Sequence, residues 1–316
     1  MIKKINKKYF LCAALALAVM AVSAFVFWDN IGAAYRAATK KADKNGIYKV
    51  DDYYAEALGE VNEKSVSGFC KKLNGIKTEY LTDKNKVFYA IVPDKGFYLQ
   101  NSGYPTTDYA KMFSLTQKGL EGFTQIELTD KLAITDYYKT DSHWRQEKLG
   151  EVVTTIGSAM GFSVDISAFT QNSSEDFIGS FAKSIVGKAP KESLVYLTDA
   201  TTDAATADNY QQPDFHKIYD VSRLDSKLPY DVFLSGATPV VTITNPIAQT
   251  EKSLVVFRDS YASSLAPLLL GGYKTVTLID LRYMSAPLIK DFVSFDNQDV
   301  LFLYSTWVIN NSAVLR

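Results

Sequence analysis

Apolar positions divide the chain into an opening uncharged run, one segment of helical period and a series of short buried stretches. From Tyr9 to Trp28 no residue is charged and Ser23 is the only strongly polar member. As a helix rising about 1.5 Å per residue, that run matches the roughly 30 Å hydrocarbon core of a bilayer. Lys3, Lys4, Lys7 and Lys8 precede it, so residues 1–28 read as a membrane anchor with the rest of the chain on the far side of the membrane. Val22-Ser23-Ala24 would also pass as a cleavage site, which leaves a signal peptide, and hence a secreted body, as the alternative. Residues 29–52, rich in Ala and Lys, read as a stalk. Within it Asp43-Lys44-Asn45-Gly46 is a turn and not a calcium loop, because Lys41 stands where the first ligand would be needed.

After the stalk, Leu58, Val61, Val66, Phe69 and Leu73 recur at helical spacing and predict a helix from Tyr54 to about Leu73. The period then changes. Compact apolar runs at 87–92, 194–197, 254–257, 275–279 and 300–304 have the character of buried strands, and helical patterns near 105–120, 146–160, 261–270 and 286–293 lie between them. Such alternation predicts an α/β domain over 53–316, a doubly wound and mainly parallel sheet. Weaker periodicity from about 170 to 250 predicts an irregular insertion decorating that sheet.

Composition narrows the function classes. With 47% hydrophobic and 22% charged residues the chain is globular, and 34 basic against 35 acidic residues give no field that would attract nucleic acid. Cys12 and Cys70 alone cannot build a disulfide framework or a thiolate metal site, and His143 and His216 are the only histidines. No phosphate-binding glycine signature is present. Neither a metal nor a cofactor is therefore expected, and serine-based acyl chemistry remains.

That chemistry needs a hydroxyl on a tight turn, an imidazole, and a carboxylate to fix the imidazole's tautomer. Ser253–Phe257 reads as a strand, Arg258-Asp259-Ser260 as a turn and Tyr261 onward as a helix, so Ser260 would sit at a strand's carboxyl end, the edge where open α/β sheets bind ligands. A plain helix cap by Ser260 or Asp259 explains the same segment. For the base, Asp141-Ser142-His143 and Asp214-Phe215-His216 share one spacing. Context favours the first pair, which directly precedes a helical pattern, although Asp141 would also serve as an N-cap.

Asp141-Ser142-His143-Trp144 together with Phe257-Arg258-Asp259-Ser260-Tyr261 resembles the DHHW proteins of bacterial cell envelopes and, more distantly, the alginate O-acetylation proteins AlgX and AlgJ with their SGNH-hydrolase-like domains. Further matches are Val92-Pro93-Asp94-Lys95, Tyr137–Thr140, Asp176–Ser180 and Ile279–Tyr283. The Asp-x-His pair precedes the serine, as in the circularly permuted alginate group. The resemblance implies transfer or removal of an O-acetyl group on an extracellular polysaccharide, with Ser260 as nucleophile, His143 as base and Asp141 as its partner. It also implies Arg282, Tyr261, Trp144 and Gly236 at the substrate, with a structural salt bridge as the equal alternative for Arg282, and a membrane-bound acyltransferase as acyl donor. Two departures stand out: Ser142 replaces the first histidine of the motif, and Ala237 follows Gly236 where relatives tend to carry an asparagine suited to an oxyanion hole. A glycan-binding protein of the same fold with impaired chemistry is the second reading.

Overall fold

The computed structural model describes Trp28 and residues 31–316, so the run from Tyr9 to Phe27 lies outside the described residues. Among the described residues no helix is long and apolar enough to cross a membrane. In chain order the first elements are β1 (Ile47–Val50), β2 (Tyr53–Glu56), α1 (Glu63–Tyr80), β3 (Val87–Val92), α2 (Lys95–Tyr98), α3 (Tyr109–Gly119), β4 (Thr124–Ile126), α4 (Gly150–Met160) and β5 (Thr170–Phe177). Then come β6 (Glu192–Thr198), α5 (Ala200–Ala204), β7 (Thr206–Asn209), β8 (Val240–Thr244), β9 (Ser253–Arg258), α6 (Tyr261–Leu269), β10 (Thr275–Ile279), β11 (Asp299–Ser305) and α7 (Thr306–Asn310).

A seven-stranded sheet runs β4-β3-β11-β9-β10-β8-β7. The five strands from β4 to β10 are mutually parallel, and β8 closes that edge antiparallel to β10 with β7 antiparallel to β8. The apolar runs earn their central places by being buried on both faces. Phe88, Ala90 and Val92 of β3, Leu254 and Val256 of β9 and Leu301 and Leu303 of β11 face one core, against α4 and α6. The intervening Tyr89, Val255, Phe257 and Phe302 face the other, against α1, Met112 of α3 and Val308 of α7. This is the two-residue period of a strand read against two helical layers. All nine residues of α6 are buried.

Several expectations are corrected. The first long helix begins at Glu63, not near Tyr54; Asn62 caps it by accepting from the Ser65 N–H at 3.0 Å. Tyr53–Glu56 instead pairs with β1, a partner outside the local helical pattern, and residue 52 falls at the tip of that hairpin. The Tyr54 N–H donates to Lys139 O at 2.8 Å, so the hairpin docks on the loop preceding Asp141. The run at 194–197 is a strand, but it pairs antiparallel with β5 outside the main sheet. The stretch 170–250 is more than decoration, because β7 and β8 are members of the central sheet. Near 286–293 the chain forms a 3-10 helix over Ala286–Asp291.

Candidate active site

The carboxyl ends of β3, β11, β9 and β10 deliver Asp94-Lys95, Ser305-Thr306, Asp259-Ser260 and Asp280-Arg282 to one edge of the sheet. Ser260 has helical dihedrals (φ −66°, ψ −20°) and its side chain makes no capping bond. Capping falls to Asp259 instead, whose Oδ1 accepts from the Tyr261 N–H at 3.1 Å and whose Oδ2 accepts from the Ser305 N–H at 2.8 Å. The Ser260 hydroxyl is thereby left for another partner.

That partner is His143. Its Nε2 lies 2.7 Å from Ser260 Oγ, and its Nδ1 lies 2.6 Å from Asp141 Oδ1. An ionised Asp141 favours the tautomer with the proton on Nδ1, which leaves the Nε2 lone pair facing the hydroxyl. The Asp141 carboxylate also takes the His143 N–H on Oδ1 at 2.9 Å and the Ser180 N–H on Oδ2 at 2.7 Å. Burial alone would raise this carboxyl's pKa, but its attraction to the His143 imidazole and these hydrogen bonds hold it well below the usual carboxylate range. The imidazole stacks on Tyr230, with ring centroids 3.9 Å apart and planes 10° apart, and the Tyr230 hydroxyl is tied to Ser264 Oγ at 2.8 Å. The structure thus joins Asp141, His143 and Ser260 in one hydrogen-bonded line, whereas Asp214 and His216 are exposed on the surface.

The loop carrying Asp141 is fastened from two sides, and sequence reasoning assigned no role to the residues involved. Glu192 on β6 accepts from the Lys139 N–H at 2.7 Å, the Thr140 N–H at 2.8 Å and the Thr140 hydroxyl at 2.6 Å. Gly179 N–H donates to Thr140 Oγ1 at 3.0 Å and Phe181 N–H to Thr140 O at 3.0 Å. From the other side Lys95 Nζ donates to Tyr138 O at 2.9 Å and Lys139 O at 3.2 Å. Burial draws this ammonium down to about 7, against the pull of Asp141, Glu192 and Asp94. In the sequence the matches at Val92–Lys95, Tyr137–Thr140 and Asp176–Ser180 cover these residues except Phe181 and Glu192, which lie in none of them.

The other expected substrate-side residues divide. Tyr261 and Arg282 border a cavity next to Ser260, although the Tyr261 hydroxyl is held by Ser142 O at 2.7 Å and the Arg282 guanidinium by Asp280 at 2.9 and 2.6 Å. Gly236 and Ala237 border a second cavity that contains His143 and Ser260. Trp144 lines neither cavity: it is fully buried and donates from Nε1 to Tyr261 O at 3.1 Å and Ser264 Oγ at 2.9 Å. Its place is to tie the histidine segment to the start of α6.

Leu234, Ser235 and Gly236 adopt φ of 57°, 58° and 94° in succession. Left-handed backbone at two non-glycine residues costs on the order of 1 kcal/mol or more each and persists only where the surroundings impose it. Here the Ser235 hydroxyl is fixed to Asp220 at 2.8 Å and Gln212 at 2.7 Å, and a Cβ on Gly236 would come 2.8 Å from the Asp231 carboxyl carbon. The strain brings Gly236 and Ala237 to the Ser260 cavity. Gly236 N–H is spent on Phe233 O at 3.2 Å, while the N–H groups of Ser260 and Ala237 donate to no acceptor among the described residues. Chemically, the arrangement can move the Ser260 proton to His143 and offer N–H donors to an oxyanion, without a side-chain donor at position 237.

No family model matches the sequence, and no curated protein matches it. Solved structures do. A DHHW family protein from Eubacterium siraeum DSM 15702 is 19% identical with a TM-score of 0.68, over 86% of this chain and 95% of that one. Bacillus cereus PatB1, in a structure with a sulfonyl adduct, is 20% identical with a TM-score of 0.64, over 83% of this chain and 97% of its own. The O-acetyltransferase domain of Pseudomonas putida AlgJ is 12% identical with a TM-score of 0.52, over 84% and 92%. The likeness to DHHW proteins and to AlgJ read from sequence motifs therefore extends to the whole fold.

Proposed function

We propose that the chain is a serine-dependent O-acyltransferase or acylesterase acting on a polysaccharide outside the membrane. The observation that carries this reading is the line Asp141–His143–Ser260, with both links at 2.6 to 2.7 Å. Ser260 Oγ attacks the donor's ester carbonyl as its proton passes to His143 Nε2. The tetrahedral oxyanion collapses, the C–O bond to the leaving alcohol breaks, and His143 returns the proton to that alcohol. A sugar hydroxyl or water then gives its proton to His143 and attacks the acyl-serine, and the same proton restores the Ser260 hydroxyl. Asp141 holds the ring and offsets its charge in each half-reaction. The O-acetyltransferase domain of AlgJ, which shares the fold, supports acyl transfer in particular. The lysine-flanked run before Trp28 supports an anchored body outside the cytoplasm, positioned to receive acyl groups from a membrane-bound acyltransferase.

The test uses the full chain with p-nitrophenyl acetate. Release of p-nitrophenol and an acetyl adduct on the Ser260 peptide are expected, and Ser260→Ala removes both. Release that persists in the variant would refute the reading. The binding-protein alternative is favoured by Ala237, since one missing oxyanion donor typically costs 100- to 1000-fold in turnover; it requires that the wild type form no acetyl adduct at all.

A further inference from the structure

Ser260 borders two cavities and is the one residue shared by both. The first, about 110 Å³, holds His143 among apolar walls that include Phe177, Ile178, Leu228 and Phe233. The second, about 220 Å³, lies on the β3 and β11 side and is lined by Glu56, Asp94, Asp259, Lys95, Arg282 and Trp307 among others. Proposed acyl transfer accounts for the first. The charged cavity is left without a role.

Its positive groups are already engaged. Arg282 is bound through Nε and Nη2 to Asp280, which lies behind the wall, and Lys95 spends hydrogen bonds on two backbone carbonyls. Among the carboxylates Asp94 is filled by the Gly96 N–H and the Tyr109 and Thr306 hydroxyls, whereas Glu56 keeps accepting capacity, because a carboxylate has about four lone-pair sites. Glu56 takes a single side-chain donor, Trp307 Nε1 at 3.1 Å, and burial pushes its pKa up. Asp280 is shared by Arg282 and the fully buried Arg258, so four carboxyl groups, Asp280 included, stand against three cationic side chains, a formal surplus of one negative charge. A ligand here meets a surplus of acceptors, a net negative field and, in Trp307, a partly exposed aromatic face. Hydroxyl groups donate to such acceptors, and the C–H face of a sugar ring packs on such a ring. A carboxylate or phosphate ligand would instead meet like charge in a site of lowered dielectric.

We infer that this cavity is the acceptor subsite for an uncharged, polyhydroxylated sugar, which presents one hydroxyl to the acyl group on Ser260. The inference rests on the acyl-transfer reading, so its test separates the two. With p-nitrophenyl acetate as donor, the full chain is offered a neutral glucose oligomer or a galacturonate oligomer of equal length, and acetylated sugar is measured by mass spectrometry. The neutral sugar is expected to be acetylated about tenfold faster or more. Glu56→Gln, which removes one negative charge, is expected to shrink that preference by roughly fivefold. Trp307→Ala is expected to raise the KM for the neutral sugar more than it lowers kcat. Direct binding of the two oligomers to Ser260→Ala by calorimetry follows the same order without turnover. Equal or preferred use of the uronate overturns the inference, as do acetyl-enzyme hydrolysis with neither sugar acetylated and an unchanged preference in Glu56→Gln. Each of these is read while the wild type still releases p-nitrophenol. Loss of that release in the wild type sinks the acyl-transfer reading itself.

Discussion

Gly179→Ala adds one methyl group outside the Asp141–His143–Ser260 line, yet it is expected to disable the site. Gly179 has φ −75° and ψ 173°, which any residue adopts, so backbone strain is not the issue. Space is: a Cβ there would stand 2.5 Å from Asp141 N and closer still to the Thr140 carbonyl. Restoring an ordinary contact of about 3.5 Å requires the two backbones to part by about 1 Å. Those backbones carry the Ser180 N–H bond to Asp141 Oδ2 (2.7 Å) and the Gly179 N–H bond to Thr140 Oγ1 (3.0 Å), both of which a 1 Å shift would break or lengthen past useful range. Displacement of this size at a catalytic group costs about 100-fold in rate. Steady-state hydrolysis of p-nitrophenyl acetate should show kcat down by about that factor with KM within about twofold. Two lost hydrogen bonds should lower unfolding free energy by about 1–3 kcal/mol in urea titration. A variant with kcat within about threefold of wild type, folded and with the same loop position, would refute the idea that the β5–β6 hairpin fixes Asp141.

Other outcomes follow from the same contacts. Asp141→Asn keeps the size of the side chain but loses the charge that favours the proton on Nδ1 and balances a charged ring; turnover should fall about 10³- to 10⁴-fold with substrate KM little changed. Trp144→Phe leaves Tyr261 O without the indole donor in a fully buried place, and should cost about 1–3 kcal/mol of stability in denaturant titration while the ring volume largely remains. Lys95 gives a signed pH effect. Its folded pKa near 7 is depressed from the unfolded 10.5, so between these values the unfolded chain binds the extra proton and rising pH favours the fold. Below about 7 both states are charged and the burial cost is present in full. The stability difference between wild type and Lys95→Met should therefore move in the wild type's favour from about pH 7 to about pH 10, and a difference that stays flat across that window would contradict a buried, depressed ammonium.

Much of the frame was legible because its signals are local. The runs at 87–92, 254–257, 275–279 and 300–304 had to be buried on both faces, and all four are parallel strands of the central sheet. The turn after β9 marked Ser260 because a hydroxyl at a strand's carboxyl end faces the ligand edge whatever the rest of the chain does. The same local logic failed at Tyr53–Glu56, where apolar spacing suited a helix but pairing with Ile47–Val50 won, and at Thr170–Phe177, a polar strand with little of a strand's apolar alternation. Whether Ser260 capped a helix was undecidable from the segment, since the answer depends on Asp259 reaching Ser305 on a neighbouring strand. Sequence context favours His143 over His216, but the contact of His143 with Ser260 spans 117 positions and only the fold could make it. Glu192, Gly179, Lys95 and Tyr230 belong to the same class. Each holds the segment just before Asp141, or His143 itself, from across the fold, and a sequence records which groups are available but not which of them meet. The chain's own residues set the strands, the turn that carries Ser260 and the Asp-x-His pair; tertiary packing decided how tightly that pair is held and which cavity opens on either side of Ser260.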